Sequence, residues 1–421
     1  MPSLSRLATG GGYATLMPSF PAVTCPVQAN MTTGKRPREH GVVANGFYWR
    51  DQRRVEMWTA WNDCILQPQI WDMLHDRDRS MTSAVWFPLH SKGSGADYIC
   101  TPAPVHNADG SESPWCFTRP DTLYDELQGK LGHFPLHHFW GPLAGIQSSA
   151  WIVASAIHAA QKYKPNFVYI YLPHLDYAAQ KAGPDNKAAR QAVADLDAEV
   201  AKLISGLESA YGEKPLWLVA SEYSIVPVDD VVYPNRILRQ AGLLKVSDAD
   251  EGEHLDLAAS KAWALVDHQF SHVFVQDADP KTIKRVARLF NKQPGIAEVV
   301  TGESLAEYGL DHPRSGEVVL VSEPNSWQAY YWWEEDAKAP PFARTVDIHR
   351  KPGYDPVELF FDARSKSIPL NAKLVKGSHG APARTQSQRG VLLSSEPGIF
   401  TGGIVADVDI AGIVLRQFEL E

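Results

Sequence analysis

Residues 167–172 read FVYIYL and residues 216–220 read LWLVA. Both runs are apolar along their whole length, with no alternation of polar and apolar positions. A strand of that kind needs cover on both faces. Between them, residues 186–211 carry Ala, Val and Leu at helical spacing. Strand, helix, strand predicts parallel neighbours joined by a crossover helix, hence an α/β fold with a doubly wound, mostly parallel sheet and helices on both faces. SAVWF at 83–87 is a further run of the same kind. In such sheets ligands sit beyond the carboxyl ends of the strands. The polar segments that follow two of these runs, PHLDY after Leu172 and SEYS after Ala220, are therefore candidate site positions.

A chain of 421 residues exceeds one small core. The expected division is a main α/β domain over residues 1–250, a smaller α+β insertion over 251–335, and a return to the main domain over 336–421. In the insertion, strands are expected at 271–275 and 317–321, and a helix over 279–291 with Pro280 at its start. The formal charge of −9 argues against nucleic-acid backbone or a polybasic membrane contact as the main partnership. No run approaches the roughly 18 apolar residues of a membrane span. Four cysteines without CxxC spacing suggest neither a disulfide framework nor a cysteine zinc site. MPSLSRLATGG has no apolar segment of the signal-peptide kind, so the expected location is the cytoplasm.

The stretch TCPVQANMTTGKRPREHGVVANG opens at Thr24. Thr24 is expected to be the N-cap of a helix, with Cys25 and Pro26 at its first two positions. A hydroxyl there feels the positive end of the helix dipole, and free backbone N–H groups can hold an anion. A neighbouring metal could convert it to an alkoxide nucleophile. Local context alone favours a threonine that only caps its helix, since Ser and Thr caps are common.

Thr24, Pro26, Thr33-Gly34, Pro37, His40-Gly41 and Asn45 together resemble the opening motif of the nucleotide pyrophosphatase/phosphodiesterase branch of the alkaline phosphatase superfamily. Further similar segments are Gln67-Pro68-Gln69-Ile70-Trp71, Tyr171-Leu172-Pro173-His174-Leu175-Asp176, Gly183-Pro184-Asp185, Ser221-Glu222-Tyr223 and Gly377-Ser378-His379-Gly380. The resemblance spans nearly the whole chain. It implies an alkaline-phosphatase-like fold, a Thr24 nucleophile, and an Asn45 that donates to a phosphoryl oxygen in the transition state. It also implies metal ligation by Asp176, Glu222 and His379 together with Thr24.

Where the family has histidine four residues after the equivalent of Asp176, this sequence has Gln180. Where it has Asp-His, this sequence has Glu222-Tyr223. Gln180 and Tyr223 thus stand in ligand positions with different donors, which dilutes the imidazole set that favours zinc and moves the expectation toward manganese or magnesium, at one or two sites. By the same resemblance, a strand ending in another metal-binding Asp would precede residues 2–8. Either the start is truncated or the sheet lacks a strand at its centre.

DHPR at 311–314 and the segment from Arg344 to Pro356 place His312, His349 and Lys351 as candidate substrate-binding groups, or as loops held by hydrogen bonds and proline turns. Asp267-His268 reads as polar groups of the core or surface. Trp327 and residues 330–333 suit a stacking surface or a core. The expected activity is metal-dependent hydrolysis of phosphodiester or pyrophosphate bonds in a small phosphorylated substrate. The alternatives are a phosphonate hydrolase of phosphonoacetate type and a catalytically degenerate binding protein.

Overall fold

A computed structural model describes residues 1–106, 112–249 and 252–419. The boundary expected between residues 250 and 251 lies outside the described residues. Helix α1 (Pro2–Gly10) leads into strand β1 (Gly12–Met17), and helix α2 (Thr24–Thr33) follows. Strands β2 (Ser83–Trp86), β3 (Tyr98–Pro102) and β4 (Cys116–Arg119) come next, then helix α3 (Ile146–Tyr163) and strand β5 (Phe167–Ile170). Helices α4 (Leu175–Ala182) and α5 (Lys187–Tyr211) cross to strand β6 (Leu218–Ala220). Helix α5 starts where the Asn186 side chain accepts from Ala188 N and stops at Gly212, in the left-handed region at φ 78°.

The next sheet is β7 (Ala262–Asp267), β8 (Phe270–Val275), β9 (Ile296–Thr301) and β10 (Val318–Ser322), with helix α6 (Pro280–Phe290) between β8 and β9. The Asp279 carboxylate accepts from Thr282 N at 2.9 Å and caps α6, with Pro280 in the first turn. The four strands pair antiparallel in the order β7-β8-β10-β9. Every residue of β7, β8 and β10 is buried. Trp327 and residues 330–333 pack into the core cluster beneath this sheet, so the aromatic run is core.

Strands β11 (Gly390–Ser394) and β12 (Ile404–Ala406) pair back onto strands from earlier in the chain. Two further four-stranded sheets form. One runs β4-β3-β2-β5, with β2 parallel to both β3 and β5. The other runs β6-β11-β1-β12, with β1 parallel to β12 and antiparallel to β11. The two runs that suggested a covered sheet, β5 and β6, are the outer strands of these two sheets, each paired on one edge among the described residues. All their residues are half-buried, whereas all four of β2 are buried. Phe167 of β5 and Leu218 and Ala220 of β6 pack on one apolar cluster, so the two open edges lie near each other. No described strand joins them.

Candidate active site

Helix α2 begins one residue earlier than expected. Val23 is the N-cap, with extended backbone at φ −129° and ψ 162°, and its carbonyl accepts from Val27 N at 3.1 Å. Thr24 is therefore the first helical residue. Its hydroxyl does not cap the helix and is free to point away from it. Gly34 ends the helix at φ 69° and Gly41 ends the short turn Pro37–His40 at φ 75°. Both are left-handed positions that a side chain would strain, which gives the Thr-Gly and His-Gly pairs a backbone reason. His40 is buried. Its Nε2 lies 2.7 Å from Asn30 Oδ1, and its Nδ1 accepts from Val42 N at 3.1 Å. Burial first, then the charges nearby, lower its pKa to about 3, so the ring is a neutral brace for the turn that leads to Asn45.

Asn45 is fully buried. Its Oδ1 accepts from Cys25 N at 3.0 Å, which ties it to the first turn of α2. Its backbone N and Nδ2 donate to the two oxygens of Asp267 at 2.8 and 3.0 Å. Asp267 ends β7, and His268 turns the chain at φ 56° into β8. Asp267 and His268, which read as ordinary core or surface polar groups in the sequence, thus reach the site from the neighbouring sheet.

The segments after β5 and β6 meet Thr24 as the strand-end rule predicts. The Tyr223 hydroxyl lies 3.0 Å from Thr24 Oγ1 and donates to Asp176 Oδ2 at 2.9 Å. Tyr171 also turns its hydroxyl to Thr24. Gln28, one helical turn beyond Thr24, donates through Nε2 to Glu222 Oε1 at 2.6 Å and accepts from Leu89 N at 2.7 Å. The His379 ring lies flat on Tyr223, with centroids 3.5 Å apart and planes 7° from parallel, and its other neighbour is His268 at 3.7 Å. His379 Nδ1 lies 2.8 Å from the Ala22 carbonyl, so it carries the proton, while buried Nε2 has no hydrogen-bond partner among the described residues. Gln180 accepts from Tyr354 hydroxyl at 2.6 Å, and Tyr354 stacks on His268 at 3.7 Å.

Burial dominates the electrostatics of the site's carboxyl groups, and no Lys or Arg is among the described residues that shift them. Burial raises Asp176 to about 7, partly opposed by the bond from Tyr223. Burial raises Glu222 to about 8, opposed by Gln28 and reinforced by Asp176. Burial raises Asp267 to about 7 against the two Asn45 bonds. Burial keeps His379 at about 3 and His268 well below its ordinary value, so both rings are neutral. Tyr223 is held well above 10 by burial and by the charges of Asp176, Tyr171 and Glu222, so it is a neutral phenol.

The donor set does not fit the two-ion arrangement that the resemblance implies. A neutral phenol is a poor metal donor. The Tyr223 hydroxyl engages both Thr24 and Asp176, two of the oxygens that the resemblance assigns to metal. Gln28 and Tyr354 already engage Glu222 and Gln180. Among the described residues no group of three or more His, Cys, Asp or Glu side chains is placed to hold a metal ion.

The remaining candidates are engaged in other contacts. Lys351 is buried and bound to Asp355 at 2.9 Å, Glu358 at 2.6 Å and the Thr345 carbonyl at 3.0 Å. His312 Nδ1 accepts from Arg314 N at 3.2 Å. His349 Nδ1 lies 3.3 Å from the Met57 carbonyl. The site residues to which the sequence reading assigned no role are Gln28, Tyr171, Asp267, His268 and Tyr354. Only Gln28 carried a local signal, its i, i+4 spacing from Thr24 on one helix face.

A sequence model described as type I phosphodiesterase / nucleotide pyrophosphatase matches residues 1–355. An ectonucleotide pyrophosphatase/phosphodiesterase 2 of Saccharomyces cerevisiae is 26% identical over 326 residues, covering 75% of this chain and 56% of its own. An uncharacterised pyrophosphatase/phosphodiesterase of Schizosaccharomyces pombe is 22% identical over 239 residues, covering 54% of this chain and 41% of its own. The chain thus spans about half the length of these relatives. Among solved structures, phosphonoacetate hydrolase from Sinorhizobium meliloti 1021 in complex with phosphonoformate superposes with TM-score 0.61 at 15% identity, covering 99% of this chain and 89% of that one. An inactive variant of murine ectonucleotide pyrophosphatase/phosphodiesterase 5 in complex with AMP gives 0.62 at 13% identity, covering 100% and 90%. At these identities the structures show the alkaline-phosphatase fold. Members of this family generally work with divalent metals. Among the described residues no helix is long and apolar enough to cross a membrane.

Proposed function

The chain belongs to the type I phosphodiesterase/nucleotide pyrophosphatase family, and we propose that it hydrolyses phosphodiester or pyrophosphate bonds in a small phosphorylated substrate with Thr24 as nucleophile. One observation carries the reading. The Thr24 hydroxyl, at the first turn of α2, faces Tyr223, which in turn donates to Asp176, instead of capping its helix. Its attack on phosphorus would give a phosphothreonine, which water then releases as a phosphate monoester or monophosphate.

Asn45 uses one amide N–H on Asp267. The other would donate to the non-bridging oxygen as charge builds there, and Asp267 fixes the amide in advance. The N-terminal end of α2 adds a favourable field for that oxygen. No step is routed through a metal ion, because the donor set does not converge on one. Zinc, manganese and magnesium enter as ions to be added in the test.

Product analysis decides the bond broken. The chain is incubated with a nucleoside triphosphate and, separately, with phosphonoacetate. Nucleoside monophosphate plus pyrophosphate is expected from the first. Acetate plus phosphate from the second, with the first unchanged, would replace this reading by phosphonate hydrolysis. The neighbour in complex with phosphonoformate supports testing that alternative.

A further inference from the structure

We propose that Thr24 is activated by a proton relay through Tyr223 to Asp176. The proposal rests on the Thr24 nucleophile and deepens that reading. Tyr223 has a single hydroxyl proton, and it points to Asp176 Oδ2 at 2.9 Å. At the 3.0 Å contact between Tyr223 and Thr24 the donor is then the Thr24 hydroxyl, which is also in reach of Glu222. That leaves Thr24 Oγ1 with its lone pairs free of Tyr223 and its proton already directed to an acceptor.

Two further contacts hold the relay. The Tyr223 ring is stacked flat on His379, and His379 is locked by its Nδ1 on the Ala22 carbonyl, two residues before Thr24. The phenol therefore cannot swing out without breaking the packing at the base of α2. Glu222, the other carboxylate beside Thr24, accepts from Gln28 through Oε1 at 2.6 Å and is the competing acceptor for the Thr24 proton, which the comparison of Glu222→Gln with Asp176→Asn below decides. Asp176 is the acceptor that the hydroxyl chain reaches.

In the forward step the Thr24 Oγ–P bond forms and the P–O bond to the leaving group breaks, the leaving oxygen keeping the electron pair. The Thr24 proton moves to Tyr223 Oη, and the Tyr223 proton moves to Asp176 Oδ2. In the second step water attacks phosphorus and loses a proton to solvent. The Thr24 Oγ–P bond breaks, and Thr24 regains a proton from Tyr223, which regains its own from Asp176. The arrangement assigns to a tyrosine and a carboxylate the tasks that histidine and aspartate perform in hydrolytic triads.

The test uses the full chain stripped of ions by EDTA and a chelating resin, with an aryl phosphodiester as substrate. Tyr223→Phe, Asp176→Asn, Glu222→Gln and Thr24→Ala are compared, with melting temperature as the check on folding. Tyr223→Phe keeps the ring that stacks on His379. The relay predicts that stripped protein turns over within about twofold of protein given zinc or manganese. It predicts that Tyr223→Phe and Asp176→Asn each lower kcat about 10²- to 10⁴-fold, the usual range for a lost general base. KM should change little, and Glu222→Gln should cost less than either. Acid-quenched protein should carry a phosphoryl mass on Thr24 more slowly in Tyr223→Phe. Turnover lost on stripping, restored by an added ion and unaffected by Tyr223→Phe, overturns the relay while leaving Thr24 as nucleophile. A larger loss in Glu222→Gln than in Tyr223→Phe overturns it as well. Absence of Thr24-dependent turnover in every arm overturns both readings.

Discussion

Asp267 grips Asn45 with both carboxylate oxygens, Oδ2 on the backbone N at 2.8 Å and Oδ1 on Nδ2 at 3.0 Å, across 222 positions of sequence. The contact ties the end of β7 to the loop behind α2. It orients the amide that faces the proposed phosphoryl oxygen. Replacing Asn45 by Ala should therefore cost turnover on the order of 10²- to 10³-fold, the scale of one lost oxyanion donor. Asn45→Asp should be worse, because it sets a second carboxylate against Asp267. Steady-state rates and melting temperatures of the two variants check this, and equal activity in both would contradict the assigned role.

Lys351 is predicted to stabilise the fold and to take no part in substrate binding. It is buried between Asp355 and Glu358. Burial lowers its pKa, but the two carboxylates outweigh that and hold it above its ordinary value. Lys351→Met leaves both carboxylates without their cation, a loss of about 3–5 kcal/mol for a broken buried pair. Chemical denaturation should show that loss, with KM unchanged in the folded fraction. A normal midpoint with a raised KM would instead restore the substrate-binding role.

Acidic groups of the site should make stability fall as pH rises. Asp176 and Asp267 sit at about 7 and Glu222 at about 8 in the folded chain, all above their unfolded values. Between the unfolded and folded pKa values the unfolded chain has already released a proton that the folded chain retains. The unfolded state then binds fewer protons, so the slope of stability with pH is negative. The window runs from about pH 4, the unfolded carboxylate range, to about 7 or 8. Glu222→Gln removes one of the three contributions. Melting temperatures from pH 5 to 9 should decline in the wild type and decline less in the variant. Parallel curves would show that Glu222 is not held protonated by burial.

Restoring imidazoles should restore metal response. Gln180→His with Tyr223→His recreates the donors that the family resemblance places at these positions, beside Asp176, Glu222 and His379. Zinc should then raise the melting temperature of the double variant and leave the wild type nearly unmoved, since a ligand that binds the native state stabilises it. An equal shift in both proteins would mean that the natural donor set already binds zinc.

Much of this site was legible because strand ends in an α/β sheet converge. Asp176 and Glu222 follow apolar runs, and Thr24 opens a helix, so their meeting needed only the strand-helix-strand order. The Thr-Gly and His-Gly pairs were legible as turn chemistry, although the helix start was misplaced by one residue because Val23, not Thr24, takes the extended N-cap conformation. Asp267 and His268 were not legible. Their role depends on how the β7–β8 turn docks on the loop at Asn45, a tertiary contact with no local pattern. The same holds for Tyr354, which reaches Gln180 from a loop 174 positions away. The apolar runs β5 and β6 resembled covered strands, yet each is half-buried at an open sheet edge, because apolarity records what a strand could bury and not which neighbour is present.

The most direct measurement is nitrophenol release from an aryl phosphodiester by the wild type and by Thr24→Ala, each assayed stripped of ions and with zinc, manganese or magnesium added, followed by acid quench and peptide mass analysis. The account predicts turnover in the wild type, none in Thr24→Ala, and a phosphoryl group on the peptide containing Thr24. Turnover that survives Thr24→Ala, or a well-folded wild type inactive in every condition, would contradict it.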